Sequence, residues 1–311
     1  MTQRLIAGGT VLDGTGGPAV AADLLITDGR IESLLPPGTA VADAARTDAT
    51  GMVVAPGFID VHTHSDVSVL LDGRAESKIN QGVTTEVTGN CGFSPFPITA
   101  EHRADHLDLL AGIGDDPVDA DWTDLDGYAR AFADRGVAIN VAPLAGHGQL
   151  RIAAAGQDEA AGPDRVRAMR RLLTEALEQG AFGMSTGLTY LPSGYAGTDE
   201  LVELCRTLRE YDALYATHAR HEGADSIDEA AGLGTATGVR VQYSHLAINH
   251  PDRWGRGAEL VELFDRHRSA GIDLAYDVYP YDASASALTQ YLPAWVQAGG
   301  VTALATRLAD P

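Results

Sequence analysis

The sequence predicts an α/β protein in which a (β/α) barrel with seven visible strands follows a small β-sandwich portion. Short strand-like segments separated by glycine and proline turns fill residues 4–50. From residue 52 onward, seven apolar segments alternate with helix-like segments, which is the pattern of a parallel sheet. Metal-ligating side chains follow several of these apolar segments, where barrel proteins place their functional residues. We therefore expect a partial β-sandwich domain over residues 1–51 and a metal-dependent barrel over 52–311, without its last strand.

Composition narrows the class of protein. The 311 residues carry 22 basic and 43 acidic side chains, a net charge of −21, which disfavours nucleic acid or an anionic membrane surface as partners. No apolar run approaches membrane-spanning length, and the segment Met1–Gly9 lacks a secretory apolar region. Two cysteines provide no disulfide framework, so we expect a cytoplasmic protein. The oligomeric state stays open.

The first domain reads as short strands joined by tight turns. The pair Asp28-Gly29 is a hairpin signal between two of them. The predicted strands are Arg4–Ala7, Thr10–Leu12, Asp23–Thr27 and Arg30–Leu35.

In the second domain, strands and helices alternate at crossover lengths, and we interpret the pattern as a barrel rather than an open sheet. The predicted strands are Val53–Val61, Thr84–Thr88, Ala138–Leu144, Phe182–Leu188, Leu214–His218, Val239–His245 and Ile272–Tyr279. The predicted helices are Arg74–Gln81, Leu125–Asp134, Pro163–Gln179, Thr198–Tyr211, Ile227–Gly232, Gly257–Ala270 and, after the seventh strand, Val296–Leu308.

Two histidines end the first barrel strand. His62 and His64 stand at positions i and i+2, so on a strand they project from the same face. This spacing suits a borderline cation such as zinc. Taken alone, the pair is equally compatible with two hydrogen-bonded histidines in a core or turn.

Three further strand ends carry a soft or borderline metal ligand. Cys91 follows the second strand, His218 ends the fifth and His245 ends the sixth. Cys91 is also compatible with a small buried apolar residue, but its place between glycine-flanked loop positions argues against a core role. His147, after the third strand, either orders a loop or contacts substrate. The convergence of the strand ends predicts a metal site.

Seven motifs resemble those of the amidohydrolase superfamily, and within it of the D-aminoacylase (N-acyl-D-amino-acid deacylase) family. The resemblance covers nearly the whole chain. The motifs are Pro56–His64, Gln81–Thr85, Gly89–Ser94, Gly146–Gly148, Ser185–Leu188 with Tyr190, Tyr215–Arg220 with Glu222, and Asp277–Tyr281.

The resemblance implies a TIM-like barrel of the amidohydrolase type with a flanking β-sandwich. It implies zinc-dependent hydrolysis of the N-acyl amide bond of N-acyl-D-amino acids, releasing a carboxylate and a D-amino acid. It also implies one tightly held Zn²⁺ on Cys91, His218 and His245. A second, weaker site would use His62, His64 and the shared Cys91.

The lysine count bears on which side chain could bridge two metals. Related binuclear amidohydrolases bridge two metals with a carboxylated lysine on the fourth strand. Here Lys78 is the only lysine, and it lies after the first strand, whereas Phe182–Leu188 contains none. A cysteine thiolate must take over the bridge if two metals are held, as in the D-aminoacylase family.

The chain departs from the family pattern in two places. The family's proton-transferring aspartate ends an eighth strand, and no residue here matches it, so no catalytic residue is assigned and residues 1–311 are expected to be a fragment or a weakly active truncated protein. Asp277 is a candidate substitute, although a buried hydrogen-bonding role fits it better. The usual substrate-binding lysine is replaced by Ala247, which leaves Tyr190 with Arg220 or Arg151 to meet the substrate carboxylate.

Two alternative functions stay open. One is another amidohydrolase acting on cyclic amides or dipeptides, which Ala247 favours and the Cys91 loop disfavours. The other is a truncated, non-catalytic metal-binding remnant.

Overall fold

The computed structural model describes residues 2–112, 120–159 and 161–309. It divides the chain into two compact units, Met1–Phe58 and Ile59–Pro311. The predicted division lay between residues 51 and 52. The first unit extends further because residues 53 and 54 pair with its sheet.

The first unit is built on a five-stranded sheet. Four strands lie in the order β3-β2-β1-β4. The fifth strand, β5, pairs with the last residues of β1, after the part of β1 that pairs with β4. At the β2–β3 hairpin, Asp28 and Gly29 both have positive φ (49° and 79°), as the tight turn predicted for this pair requires. Leu5, Ala7 and Leu25 form the buried core of this unit. The strands are β1 Gln3–Val11, β2 Val20–Thr27, β3 Arg30–Leu35, β4 Ala45–Asp48 and β5 Val53–Val54.

The prediction of a single strand over Val53–Val61 is wrong in detail. The segment forms two short strands, β5 in the first sheet and β6 (Phe58–Asp60) in the second. Pro56 and Gly57 lie between them. Proline cannot donate a main-chain hydrogen bond to a neighbouring strand, so the chain leaves one sheet here before it enters the other.

The second unit contains a seven-stranded sheet whose strands lie in the order β12-β11-β10-β9-β8-β7-β6. Every neighbouring pair from β7 to β12 is parallel. The curled sheet and the separate N-terminal sheet confirm the predicted fold class. Among the described residues no strand lies between β12 and β6. The remaining strands are β7 Val83–Thr88, β8 Asn140–Gly146, β9 Gly183–Gly187, β10 Leu214–His218, β11 Arg240–Tyr243 and β12 Leu274–Tyr276.

Helices connect these strands. The helix predicted over Val296–Leu308 is instead two helices, because Gly299 and Gly300 adopt positive φ (86° and 82°) and interrupt it. Three helices, α1, α3 and α5, were not predicted. The helices are α1 Ser68–Leu71, α2 Glu76–Ile79, α3 Arg103–Ala111, α4 Leu125–Arg135, α5 His147–Ala155, α6 Pro163–Glu178, α7 Thr198–Glu210, α8 Ala224–Thr237, α9 Gly257–Ser269, α10 Ala294–Gln297 and α11 Gly300–Ala309.

The main core lies between the sheet and these helices. The apolar faces of α6 and α7 are fully buried at Met169, Leu173, Leu201 and Leu204. Cys205 belongs to this core, as its place in the helical pattern predicted. No helix among the described residues is long and apolar enough to cross a membrane.

Candidate metal centre

Five side chains from four strand ends converge at one edge of the sheet. His62 and His64 follow β6, Cys91 follows β7, His218 ends β10 and His245 follows β11. They form two overlapping triplets, one of His62, His64 and Cys91 and the other of Cys91, His218 and His245. Within each triplet the ligand atoms lie within 4.8 Å of one another. The structure thus brings together all five residues that were predicted as metal ligands.

The backbone around Cys91 is shaped for close packing. Cys91 itself has φ of 54°, an uncommon left-handed conformation for a residue with a side chain. A Cβ on Gly89 would lie 2.0 Å from the Leu144 oxygen, and one on Gly92 would lie 2.7 Å from the Gly187 nitrogen. The two glycines therefore let the loop press against β8 and β9, and this contact places the sulfur under the histidines.

Charge in the centre is concentrated on the Cys91 sulfur. Its Sγ lies 3.4 Å from Nε2 of His62 and 3.4 Å from Nε2 of His245. Burial opposes ionisation of this thiol, but contacts with four imidazoles hold its pKa well below the ordinary value. Burial likewise disfavours protonation of His62, yet Asp277 and the Cys91 thiolate raise the His62 pKa to about 10. Without metal, protonated imidazole thus balances the thiolate.

The donor set fits a bound cation. The Nδ1 atoms of His64 and His218 are buried and have no hydrogen-bond partner among the described residues. Buried polar atoms are rarely left without a partner, and a missing ion is one explanation for those that are. Thiolate and imidazole together are the ligands of zinc and related soft or borderline metals. The residues present therefore suit a metal of that class.

Asp277, the candidate substitute for the family's catalytic aspartate, is engaged in hydrogen bonds beside the centre. Its Oδ1 accepts from the His245 main-chain N–H at 2.7 Å, and its Oδ2 accepts from Gln242 Nε2 at 2.8 Å. Burial opposes its ionisation, but His62 and these hydrogen bonds lower its pKa. Asp277 is therefore a largely buried, ionised acceptor.

Tyr190 lies directly beside the metal triplets. Its ring centroid is 4.9 Å from that of His218 and 5.0 Å from that of Phe93. Burial and the nearby Cys91 thiolate raise its pKa, so the phenol keeps its proton. Thr189 Oγ1 lies 3.0 Å from His218 Nε2, a contact that orients the imidazole. Phe93 belongs to one of the sequence motifs and Thr189 lies between two motif residues, but neither was assigned a role.

The two arginines differ in their surroundings. Arg220 is partly exposed, pairs with Glu229 and donates to the main-chain oxygens of Gly194 and Ala196. Arg151 is fully buried and pairs with Glu200 at 2.6 Å, so Arg220 rather than Arg151 has a guanidinium near the surface.

His147 is part of the same buried network. Its Nδ1 lies 2.6 Å from Ser193 Oγ and its Nε2 lies 2.8 Å from Glu200 Oε1. Of the two roles left open for His147, the structure places it in the loop-ordering one.

A second, partly buried ionic network was missed by sequence reasoning. The Lys78 Nζ lies 2.5 Å from Asp60 Oδ2 and 3.1 Å from Glu86 Oε1. Asp60 Oδ1 accepts from the His62 main-chain N–H at 3.2 Å, so the network also holds the segment that carries the two histidines. The isolated lysine was the available sequence signal, but it was used only to exclude a carboxylated-lysine bridge. That use agrees with the structure, since Lys78 is not on β9.

A parallel β/α sheet with thiolate and imidazole donors gathered at its strand ends defines a barrel protein with a metal centre. Comparison with known proteins identifies the family. The amidohydrolase family profile matches residues 46–307, and the chain belongs to that family.

Two curated relatives come from Alcaligenes xylosoxydans xylosoxydans. An N-acyl-D-glutamate deacylase is 42% identical over 291 residues, which cover 91% of this chain and 58% of the relative. A D-aminoacylase is 38% identical over 290 residues, covering 92% of this chain and 59% of the relative. The resemblance to D-aminoacylases inferred from the motifs is confirmed. The chain spans about three fifths of the length of these relatives.

Solved structures agree with this placement. The N-acyl-D-glutamate deacylase of Bordetella bronchiseptica, complexed with zinc and a phosphonate mimic of the tetrahedral intermediate, superposes with a TM-score of 0.83 at 37% identity. That match covers 92% of this chain and 60% of the other. A D-aminoacylase described by one-metal activation and second-metal attenuation of a binuclear centre matches with a TM-score of 0.79 at 37% identity, covering 89% of this chain and 58% of that one.

Proposed function

We propose that this protein is a metal-dependent amidohydrolase that cleaves the N-acyl amide bond of N-acyl-D-amino acids, with zinc as its metal. The observation that carries the proposal is the sharing of Cys91 by two histidine pairs at the strand ends. The described part of β9 contains no lysine that could form the alternative bridge. The similarity to deacylases of N-acyl-D-amino acids supports the same substrate class.

Each metal ligand has a proposed place. Cys91, His218 and His245 hold the tight Zn²⁺, whereas His62 and His64 complete a weaker second site with the same thiolate. A zinc ion held by these residues would supply Lewis-acid chemistry, which favours attack by water on an amide carbonyl. The binuclear metal centre described for a D-aminoacylase supports the presence of two sites.

Tyr190 and Arg220 are the proposed contacts of the substrate carboxylate. Tyr190 remains a neutral phenol and a hydrogen-bond donor, since burial raises its pKa. The guanidinium of Arg220 contributes positive charge and also holds the main chain at Gly194 and Ala196, in the loop that follows Tyr190. Proton transfer is not assigned to Asp277, because both its carboxylate oxygens already accept hydrogen bonds.

We also propose a reducing, cytoplasmic setting. Both cysteines are free, and Cys91 acts as a metal ligand only as a reduced thiolate.

An assay with matched enantiomers tests the substrate class. Zinc-loaded protein is given N-acetyl-D- and N-acetyl-L-amino acids, and both binding and release of free amino acid are measured. We expect selective binding and hydrolysis of the D-enantiomer. If no side chain transfers the proton, the rate should be about 10²–10⁴-fold lower than with general acid–base catalysis. Tyr190→Phe should weaken binding of the D-substrate and leave the metal content unchanged.

Three results would overturn the proposal. Equal binding and equal hydrolysis of the two enantiomers would exclude N-acyl-D-amino acids as the specific substrate class. Zinc-loaded protein that neither binds nor hydrolyses the D-substrate would support the metal-binding remnant. Turnover of cyclic amides or dipeptides in preference would support a different amidohydrolase activity.

A further inference from the structure

One carboxylate contacts a ligand of each metal triplet. Asp277 follows β12, at one end of the strand order, and His62 follows β6, at the other end. The Oδ1 atom of Asp277 lies 3.3 Å from His62 Nδ1 and accepts the His245 main-chain N–H at 2.7 Å. Asp277 therefore touches one residue that belongs only to the first triplet and one that belongs only to the second.

The contact with His245 holds an unfavourable backbone conformation. His245 has φ of 38°, a left-handed conformation that a residue with a side chain keeps only where its surroundings enforce it. Asp277 supplies those surroundings. Besides the bond to His245, its main-chain oxygen accepts from Leu246 N–H at 2.8 Å and its main-chain N–H donates to the Tyr243 oxygen at 3.1 Å.

The contact with His62 is of a different kind. The Nδ1 and Oδ1 atoms are close, but they are not aligned as a hydrogen bond, so Asp277 presents the negative charge of its carboxylate to this side of the imidazole ring. His62 presents its other ring nitrogen, Nε2, to the Cys91 sulfur at 3.4 Å. A carboxylate behind a ligating imidazole orients the ring and increases its basicity. Both side chains are largely buried, at 14% and 10% exposed, so solvent screens this pair weakly.

We propose that Asp277 is a positioning residue for both metal sites, which holds His245 through its hydrogen bonds and His62 through its negative charge. The proposal rests on the metal centre proposed above. Two properties of the Asp277 side chain have different roles here. The hydrogen bonds need an oxygen acceptor, whereas the contact with His62 needs a negative charge.

Two substitutions separate these properties. Asp277→Asn keeps an oxygen for the His245 N–H but removes the charge, so Zn²⁺ affinity at the second site should fall by about 10–100-fold with the first site unchanged. Asp277→Ala removes both and should weaken both sites. Asp273→Asn is the matched control, since Asp273 is exposed and lies four residues earlier in the same segment.

Binding is measured with Zn²⁺ alone, by titration against a competing chelator. The thiolate-to-metal absorption band of the Co²⁺-substituted protein reports the environment of Cys91 independently of activity. Thermal unfolding of the metal-free variants checks that Asp277→Asn and Asp273→Asn are folded. General loosening of the fold would weaken both sites together and is thereby distinguished from a selective effect.

The outcomes are distinct. Selective loss of the second equivalent in Asp277→Asn, with the control unchanged, supports the positioning role. Equal loss of both equivalents, or wild-type binding of both, overturns it while leaving the metal centre in place. Failure of the wild-type protein to take up zinc would overturn the metal centre and this role with it.

Discussion

Replacing Cys91 by alanine should weaken both metal sites, because Cys91 is common to both triplets. Its sulfur lies 3.4 Å from a histidine nitrogen of each triplet, at His62 and His245. The first site keeps only His218 and His245, and the second keeps only His62 and His64. Two imidazoles are a poor site for a cation that prefers four ligands.

The size of the effect follows from the number of ligands. A four-ligand zinc site contributes about 10–16 kcal/mol of apparent binding free energy, or about 2.5–4 kcal/mol per ligand if the ligands share it equally. Since about 1.4 kcal/mol corresponds to a tenfold change, loss of the thiolate should lower zinc affinity by about 10²–10³-fold at each site. Loss of the negative charge should also lower the raised pKa of His62, which the Cys91 thiolate helps to set.

The assay is elemental analysis of zinc after equilibration with a chelator. The chelator competes with the wild-type protein for zinc but is too weak to remove its tightly bound zinc. Wild-type protein should retain about one equivalent of zinc and Cys91→Ala much less. Cys205→Ala is the control, because Cys205 lies on the buried face of α7 and outside both triplets. Unchanged metal content in Cys91→Ala would show that the thiolate is not a ligand and would refute the assignment.

Three further predictions concern separate parts of the molecule. His62→Asn or His64→Asn should lower second-site zinc occupancy and leave the tight site loaded, as measured by zinc titration; loss of all metal would contradict two separable sites. The melting temperature should fall from pH 7 towards pH 4, as followed by circular dichroism. Burial lowers the pKa of His147, so below about pH 6.5 the unfolded chain binds a proton that the folded chain does not. Burial opposes ionisation of Glu200, but His147 and Arg151 lower its pKa. The ionised Glu200 therefore adds stability that is lost as the pH falls through its pKa in the folded chain. A melting temperature independent of pH over this range would contradict that account. The 311-residue chain should self-associate, as measured by light scattering, because apolar side chains on or next to the two outer strands are exposed: Ile59 61%, Val61 44% and Val278 64%. Ile59→Lys should reduce the association and Val261→Lys on α9 should not; equal effects would exclude the sheet edge as the cause.

Periodicity and turn chemistry determined most of the elements from sequence. The strand Leu214–His218 was predicted to the residue, and the Asp28-Gly29 turn has the two positive φ angles that its sequence indicates. The metal ligands were also predictable, because parallel strands end at one edge of a sheet and residues that follow them must meet there. The departures lie where local sequence is ambiguous, as at Val53–Val61, whose division depends on which sheet each half can pair with.

Pairings between distant residues were decided only by the tertiary structure. The sequence identified Asp277 and His62 separately, but 215 positions separate them and no local pattern shows that they lie 3.3 Å apart. The same is true of His147 with Ser193 and Glu200, and of Lys78 with Asp60 and Glu86. Residue type and strand position determine which side chains reach the sheet edge. Which of them touch one another depends on the curl of the sheet and on strained turns such as that at His245, which exist only once the strands are packed.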